Sequence, residues 1–408
     1  ISGMDAKQGE IYVYCPLESA LSQEYLSWSN SFTNPELNKD KDKKGFFPSA
    51  GRVKCVSLRK SKSEGYIFPL TDLQNWLKEE KGKNFEITDD LVGVEFDSFD
   101  NVLFVEKYVN RQELAKLNRE KNAQNRKDKK KVRVSKIIDD QFRLSLDVTH
   151  LGKYIHQVNP TDIISITNKM HGCNETIARV LCKKPLKWYE KILKTCGVNV
   201  VDTHYDLVYA SRSVLKNAYA DKESCHFYNE DIWGLVADKL KNSLLDGVSL
   251  YLEIVGYTSS GSYIQKNYDY NCDVGQLDYY VFRATYTNPM GKVFEFSWQQ
   301  IKDYCVKFGI KHVKELYYGR AQDMFDIPTD EHWHENFLKA LSDKFLEKDC
   351  DICRKKVPNE GFVLVVQSGD YTPLKHKSFK FKTLESVNLD SGEVDLDTQE
   401  SVNSDVVS

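Results

Sequence analysis

The apolar residues of this chain follow two periodicities. Apolar residues at every third or fourth position predict helices at 232–245 and 333–345. Short runs rich in β-branched and aromatic residues, separated by Gly, Pro, Asn and Asp, predict strands at 11–15, 51–58, 66–70, 91–96, 162–167, 206–210, 249–255, 279–284 and 361–366. Because these elements do not alternate regularly, the order predicts an α+β fold with mostly antiparallel strands.

The pattern changes along the chain and predicts three regions. The pattern of residues 1–145 predicts a small β-barrel or sandwich that ends in a basic linker, with ten basic residues and two acidic ones between 116 and 136. The linker could contact nucleic-acid phosphates or be a solvated connector. Residues 146–385 carry the mixed pattern of a second domain. Residues 386–408 form an acidic segment with few apolar side chains, which we expect to be disordered.

Length and composition exclude several classes of protein. The chain has 408 residues, of which 41% are hydrophobic and 29% charged, as in globular proteins that bury a core. Its ten cysteines show no short repeated spacing, which favours reduced thiols and a cytoplasmic location, in the host cytoplasm if the protein is encoded by a phage or virus. No run is apolar and long enough to cross a bilayer. We expect a monomer without membrane association.

The net charge of the chain is compatible with a polyanionic partner. The formal charge is −3, but the seven acids beyond residue 384 are not balanced by any Lys or Arg. The preceding residues therefore carry a charge of +4, which permits binding to nucleic acid without demanding it.

The candidate nucleophile is Lys169, which a predicted strand delivers into a turn closed by Gly172. A lysine in such a place can attack an electrophile if burial or cationic neighbours lower its pKa, and glycine lets the backbone approach a bulky ligand closely. The alternative is an ordinary surface lysine before a turn.

Further motifs follow in a definite order along the chain. They are the segment from Lys169 to Asn174 (K-x-H-G-x-N), Arg212 in Ser-Arg-Ser, residues 251–257 (YLEIVGY), residues 279–283 (YYVFR), residues 360–364 (EGFVL) and residues 375–378 (KHKS). Each motif is weak alone, but the ordered set is specific.

This set resembles the covalent nucleotidyltransferase superfamily of polynucleotide ligases and capping enzymes. The likeness is greatest to ATP-dependent RNA ligases of the second bacteriophage type and to relatives with an N-terminal OB domain, and it extends over roughly residues 10–386. The resemblance implies an OB-like module followed by an adenylyltransferase (ATP-grasp-like ligase) domain with antiparallel sheets.

The resemblance also implies roles for single residues. Lys169 would attack the α-phosphorus of ATP. Glu253 and Glu360 would hold Mg²⁺ or Mn²⁺, and Lys375 and Lys377, on one strand face, would grip the triphosphate. The residues that would contact the nucleotide or its phosphates are His171, Gly172, Asn174, Arg212 and Phe282.

Several of these roles have alternatives. The glutamates could be ordinary strand-edge residues, Phe282 a core aromatic with Tyr280 as the stacking residue, and Arg212 an exposed loop residue. His171 could serve a structural turn. The Lys-x-Lys spacing recurs at Lys380 and Lys382.

The implied function is an ATP-dependent RNA ligase that joins 3′-OH and 5′-phosphate ends through lysyl-AMP and RNA-adenylate, with nick sealing in RNA repair as the specific hypothesis. Two alternatives remain: an mRNA capping guanylyltransferase that uses GTP, and a non-catalytic RNA-binding protein with a retained nucleotide pocket. Cys350 and Cys353, with His332 and His334, could bind zinc or be free thiols.

Overall fold

The computed structural model describes residues 7, 9–17, 19–58, 61–108, 137–146, 148–212, 214–216, 228 and 230–390. Among these residues the chain divides into a smaller unit, drawn from residues up to 108 and from 382–390, and a larger unit that contains residues 137–381. The predicted basic linker at 116–136 lies outside the described residues, as does the predicted acidic segment beyond residue 390.

The smaller unit contains short strands and two helices before residue 108. Its helices are α1 (Gln23–Trp28) and α2 (Leu70–Lys81), with 3-10 turns at Pro35–Leu37 and Asp89–Leu91. Its strands are β1 (Tyr12–Pro16), β2 (Ser19–Leu21), β3 (Val56–Leu58), β4 (Ser61–Ser63), β5 (Gly65–Pro69), β6 (Ser98–Phe99), β7 (Val102–Leu103) and β8 (Val105–Lys107).

An aromatic core holds this smaller unit together. Helix α2 places Leu73, Trp76 and Leu77 on one face, where they are fully buried against Tyr25 and Phe104. The strands pair two by two as β1–β5, β2–β8, β3–β4 and β6–β7. No closed barrel is formed by the described strands, so the OB-like module stays a prediction.

One strand prediction in this unit is wrong, and another is only partly right. Residues 91–96 are not a strand, because Gly93 turns the backbone with a φ of 84° and Val92 and Val94 remain exposed without a partner strand. The predicted strand 51–58 is interrupted: Val56–Leu58 pair with β4 as β3, and Arg52 forms an isolated antiparallel bridge with Ala20 on β2.

The larger unit is built on two five-stranded sheets. Its strands are β9 (Thr149–His150), β10 (Ile163–Lys169), β11 (Cys173–Lys183), β12 (Thr203–Ala210), β13 (Val248–Gly256), β14 (Leu277–Thr287), β15 (Val293–Glu295), β16 (Glu315–Arg320), β17 (Gly361–Val366) and β18 (Pro373–Lys377). The strand orders are β16-β10-β17-β18-β9 and β12-β11-β13-β14-β15, and only the β18–β9 pair is parallel. The predicted α+β class with antiparallel sheets is therefore confirmed.

Both predicted helices are present among those of the larger unit. The helices of this unit are α3 (Leu151–Tyr154), α4 (Trp188–Thr195), α5 (Ile232–Leu240), α6 (Trp298–Phe308) and α7 (Trp333–Phe345), with 3-10 turns at Ile155–Gln157 and Ala321–Met324. A further helix, α8 (Phe379–Asp390), begins in the larger unit and belongs to the smaller unit from Lys382 onward. Helix α7 has the predicted bounds because its buried face, formed by Trp333, Phe337 and Leu341, packs on β10 and β17 core residues. Helix α5 is shorter than predicted.

The last helix corrects the prediction for the start of the acidic segment. Residues 386–390 continue helix α8. Ser386 is buried within the smaller unit, where its carbonyl accepts a hydrogen bond from Arg52 and its hydroxyl accepts one from the backbone of Cys55. A segment with such contacts is ordered despite its acidic composition.

None of the helices formed by the described residues combines the length and apolar character needed to span a bilayer.

Candidate active site

Lys169 is the last residue of β10, and the sheet register sets its neighbours. It pairs with Gly361 on β17, which in turn pairs with Lys377 on β18. Because side chains alternate along each strand, Lys375 lies on the same face as Lys377, whereas His376 points to the opposite face, where its Nε2 is 3.0 Å from the hydroxyl of Ser342. The structure thus brings three lysines to one face at one end of the sheet.

A buried carboxylate lies between two of these lysines. The Oε1 atom of Glu360 is 2.8 Å from Nζ of Lys169 and 3.4 Å from Nζ of Lys377. The Glu360 side chain is only 4% exposed. Burial alone would raise the pKa of Glu360, but the positive charges of Lys169 and Lys377 outweigh it and bring this pKa to about 2. Glu360 is therefore an anion held by ammonium groups.

The neighbouring charges also decide whether Lys169 is protonated. Burial lowers its pKa and Lys377 lowers it further, but Glu360 and Glu253 raise it more, so the pKa lies above its ordinary value. The sequence reasoning considered a lysine whose pKa is depressed. The structure instead shows a protonated amine that must lose its proton before it can attack.

Lys375 is the lysine whose pKa is depressed. Burial and the neighbouring charges of Lys377 and Lys169 lower its pKa to about 8. Arg212 contributes in the same direction, which places its guanidinium close to this cluster. The group formed by Lys169, Lys375, Lys377 and Arg212 is thus a concentration of positive charge around one carboxylate, suited to a polyphosphate.

Gly172 is required by a close approach to β13. A Cβ atom at this position would lie 2.3 Å from the carbonyl oxygen of Ile254 and 2.7 Å from Cγ of Glu253. The backbone N–H of Gly172 donates to Oε1 of Glu253 at 3.1 Å. Glycine is therefore required here by a neighbouring strand of the protein, whereas the sequence analysis attributed the requirement to a bound ligand.

His171 is packed into an aromatic cluster. Its ring meets those of Tyr268 and Phe381 edge to face, with centroids 4.9 and 4.8 Å away, and its Nδ1 is 4.0 Å from Oε2 of Glu360. Its backbone N–H donates to the hydroxyl of Tyr270 at 2.7 Å. These contacts fix the turn that follows the nucleophile.

Asn174, Glu253 and Tyr280 form a row across the second sheet. Asn174 on β11 lies opposite Glu253 on β13, which lies opposite Tyr280 on β14. The side-chain oxygen Oδ1 of Asn174 accepts a hydrogen bond from the hydroxyl of Ser145 at 2.6 Å. Opposite residues share a face, so this row brings the three side chains to the same side of the sheet.

Phe282 occupies a β-bulge on β14. Leu252 pairs with Val281 and Tyr251 pairs with Arg283, which leaves Phe282 as the extra residue between them. A bulge re-aims the side chains that it carries. The ring of Phe282 remains partly exposed, as a stacking residue requires.

The two Lys-x-Lys pairs are distinguished by their secondary structure. Lys375 and Lys377 lie on β18, whereas Lys380 and Lys382 lie on helix α8. Nζ of Lys380 donates to the backbone carbonyl of Glu347. Only the first pair is therefore part of the lysine cluster around Glu360.

Glu253 and Glu360 are the carboxylates that could hold a divalent cation beside Lys169, since both raise its pKa. Oε2 of Glu360 is buried and has no hydrogen-bond partner among the described residues. Two carboxylates suit Mg²⁺ or Mn²⁺, which keep waters and phosphate oxygens as further ligands. Within the described residues, no three His, Cys, Asp or Glu side chains are grouped so as to hold a metal on their own.

The predicted zinc residues are not brought together as such a group. His334 contacts the backbone carbonyl of Val158, and His332 is exposed beside Glu331. Cys350 and Cys353 lie in a loop before β17, next to Tyr270.

The sequence reasoning assigned no role to Arg283. Its guanidinium lies between the rings of Tyr251 and Tyr371, 4.3 Å from each centroid, and its Nε donates to Glu295 at 3.0 Å. The side chain is only 6% exposed. The sequence feature that could have indicated such a role is the charge of Arg283, which directly follows Phe282 in the otherwise apolar predicted strand 279–284.

Comparison with known proteins gives a family and a fold. The sequence model of the family described as RNA ligase matches residues 162–382, more than half of the chain. No curated protein matches this sequence. Among solved structures, a Naegleria gruberi RNA ligase variant with AMP and Mn is similar, with a TM-score of 0.51, 14% identity and coverage of 94% of this chain and 89% of that one. A variant of the same enzyme with ATP and Mn gives the same values.

Proposed function

Because this chain belongs to the RNA ligase family, we propose that it joins RNA 3′-OH and 5′-phosphate ends through a covalent lysyl-AMP intermediate formed from ATP. The observation that carries this proposal is the placement of Lys169, 2.8 Å from the buried carboxylate of Glu360 and beside Lys375 and Lys377. The similar Naegleria gruberi structures hold ATP or AMP with Mn, which supports the same nucleotide and a divalent cation here.

The proposed reaction has three in-line transfers. Nζ of Lys169 attacks the α-phosphorus of ATP, a P–N bond forms, and the P–O bond to pyrophosphate breaks. The 5′-phosphate of the RNA then takes AMP from Lys169. The 3′-hydroxyl finally attacks that activated phosphate, expels AMP and forms the phosphodiester. Such steps need positioning and charge neutralisation more than an acid–base pair.

Lys169 must be neutral for the first step. Its pKa is raised chiefly by Glu360 and Glu253, the two carboxylates proposed to hold Mg²⁺ or Mn²⁺. A cation held by these carboxylates would supply positive charge that shields phosphate oxygens and offsets the carboxylate charges. Lys377, 3.4 Å from Glu360, favours the neutral amine in the same way.

The remaining site residues receive roles in binding. Lys375 and Lys377 neutralise the triphosphate, and Arg212 binds nucleotide or RNA phosphate as a planar fork. Phe282 stacks on adenine from its bulge on β14. His171 and Asn174 contact the nucleotide or orient its neighbours, and Gly172 holds the intervening turn against β13.

Within this function, we propose that the preferred substrate is nicked duplex RNA in a repair reaction. We further propose that the smaller unit is an OB-like RNA-binding module. The K-x-H-G-x-N run from Lys169 to Asn174 has the RNA-ligase form and supports RNA as the polynucleotide. Joining is measured on nicked duplex and on single-stranded ends. Equal or faster joining of single-stranded ends would contradict the nick-sealing role.

The adenylylation step is tested by intact-protein and peptide mass spectrometry after incubation with Mg²⁺ and either ATP or GTP. We expect an AMP adduct on Lys169, no GMP adduct, and complete loss of the adduct in Lys169→Ala. Lys380→Ala is the matched control, because Lys380 lies on α8 outside the lysine cluster.

Other outcomes identify the alternatives. A GMP adduct would indicate a capping guanylyltransferase. RNA binding without any adduct would indicate a non-catalytic RNA-binding protein, and an adduct that persists in Lys169→Ala would contradict the assigned nucleophile.

A further inference from the structure

The loop that joins β17 to β18, residues 367–372, contacts the second sheet through a stacked arginine. Arg283 lies on β14, and its guanidinium is 4.3 Å from the ring centroid of Tyr371 in this loop. The same guanidinium is 4.3 Å from the ring centroid of Tyr251 on β13. We call these three residues the Arg283 stack. A planar guanidinium between two rings joins the elements that carry them.

The guanidinium is fixed on the side of the second sheet. Tyr251 lies directly opposite Arg283 where β13 pairs with β14. Nε and Nη2 of Arg283 both donate to the carboxylate of Glu295 on β15, Nε at 3.0 Å. The Arg283 side chain is only 6% exposed, so this two-pronged ion pair is shielded from water. Tyr371 therefore rests on a group whose position the second sheet determines.

A second contact holds the other end of the same loop. Oε1 of Gln367 accepts the backbone N–H of Trp298, the first residue of α6, at 2.8 Å. Nε2 of Gln367 donates to the hydroxyl of Ser165 on β10 at 2.9 Å. The turn of the hairpin formed by β17 and β18 is thus attached at two points, Gln367 and Tyr371.

The Arg283 stack joins the two elements to which the proposed function assigns the two ends of ATP. Phe282, proposed to stack on adenine, immediately precedes Arg283 in the bulge of β14. Lys375 and Lys377, proposed to neutralise the triphosphate, lie on β18, four and six residues after Tyr371. A displacement of the loop relative to β14 would therefore change the distance between the adenine contact and the phosphate contacts.

We propose that Arg283 is a positioning residue that sets the separation between the adenine-binding and triphosphate-binding parts of the site by holding the β17–β18 loop against the second sheet. This inference rests on the proposed function, because that function assigns Phe282 and the two lysines of β18 to ATP. Arg283 acts through Tyr371 on one side and through the neighbouring Phe282 on the other.

The separation matters because ATP contacts both parts at once. When two linked groups bind two sites, the second contact gains from the high effective concentration that the first creates, provided that the spacing of the sites matches the ligand. Adenosine and inorganic tripolyphosphate each occupy one part alone and are insensitive to that spacing. Loss of the Arg283 stack should therefore weaken the binding of ATP and spare both fragments. A residue needed only for folding would weaken all three ligands together.

The test variant is Tyr371→Leu, which removes the ring and leaves the buried pair of Arg283 and Glu295 in place. Binding to the full chain is measured by calorimetric titration with Mg²⁺ present. The ligands are adenosine, tripolyphosphate and the α,β-methylene analogue of ATP, which cannot transfer AMP. We expect the affinity for the analogue to fall about tenfold, with the affinities for adenosine and tripolyphosphate unchanged. Tyr371→Phe keeps the ring and should bind all three ligands as the unaltered chain does.

Two further variants complete the test. Arg283→Lys keeps the positive charge beside Glu295 but loses the planar group, so it should weaken binding of the analogue as Tyr371→Leu does. Tyr189→Leu is the matched control. Tyr189 is an exposed tyrosine on α4 with Nζ of Lys187 5.8 Å from its ring centroid, and its replacement should leave all three affinities unchanged.

The outcomes separate this inference from the proposed function. The positioning role would be overturned by unchanged affinity of Tyr371→Leu for the analogue, by equal weakening of all three ligands, or by an equal loss in Tyr371→Phe or Tyr189→Leu. An unaltered chain that does not bind the analogue would contradict both the inference and the proposed function. The expected binding changes in a chain that forms no AMP adduct from ATP would support the positioning role and contradict the ligase proposal alone.

Discussion

Nζ of Lys169 lies 2.8 Å from Oε1 of Glu360, and this contact controls whether the amine is charged. Glu360 is deeply buried and keeps its negative charge, so it stabilises the ammonium form of Lys169. The contact holds Lys169 in place in its protonated form. Lys169 must therefore lose one proton before it can attack.

Replacing Glu360 by Gln is expected to lower the pKa of Lys169 below its ordinary value, because burial and Lys377 then act with only Glu253 opposing them. The pKa is measured by competitive labelling of Lys169 with an amine reagent over a range of pH. Labelling in Glu360→Gln should begin at lower pH than in the unaltered chain. Glu190→Gln, at an exposed pair with Lys184, is the control. An unchanged labelling midpoint would show that Glu360 does not set the charge of Lys169.

The affinity for ATP is expected to weaken severalfold between about pH 7 and about pH 9. Lys375, with its pKa of about 8, is charged at the lower pH and loses its proton as the pH rises through that value, which removes one positive charge facing the triphosphate. Binding is measured with the α,β-methylene analogue of ATP, from which no AMP adduct can form, so that Lys169 keeps its place beside Lys375. Lys375→Arg keeps its charge over this range, so its affinity should stay flat. The same decline in Lys375→Arg would refute the assignment to Lys375.

Replacing Gly172 by Ala is expected to lower the free energy of unfolding by about 1–3 kcal/mol, because the new Cβ would overlap the carbonyl of Ile254 and must push β11 and β13 apart. Thermal or denaturant unfolding measures the loss, and the AMP adduct should form more slowly. Gly152→Ala is the matched control, since the nearest atom to its Cβ, on Leu338, is 3.9 Å away. Equal stability of the two variants would contradict the close approach.

Removing the hydroxyl of Tyr270 is expected to slow adenylylation at saturating ATP about tenfold while leaving the affinity for ATP unchanged. Tyr270→Phe leaves the buried N–H of His171 without its acceptor, which costs about 1–3 kcal/mol and loosens the turn after Lys169. Tyr317→Phe removes a hydroxyl that donates to the carbonyl of Arg320 at an exposed position and serves as the control. A change in ATP affinity alone, with the rate preserved, would argue against a positioning role.

The local pattern of apolar and polar residues predicted most of the elements that carry the site. The strand 361–366 and the helix 333–345 have the bounds that the sequence predicts, because apolar periodicity records which face of an element is buried. The alternation of Lys375 and Lys377 likewise needs nothing beyond the period of a strand. The strand β11, which carries Asn174, was missed because its buried polar residues obscure the apolar pattern.

The sequence by itself determined that a lysine ends a strand before a glycine turn, that two further lysines share a strand face, and that the motifs follow the order of the RNA ligase family. Only the tertiary structure decided that Glu360 keeps Lys169 protonated, that Gly172 is required by the close approach of Ile254 rather than by a ligand, and that the hydroxyl of Tyr270 accepts a hydrogen bond from the backbone of His171. The reason is physical: periodicity is a property of neighbours along the chain, whereas charge state and close contact depend on groups that the fold brings together from distant positions.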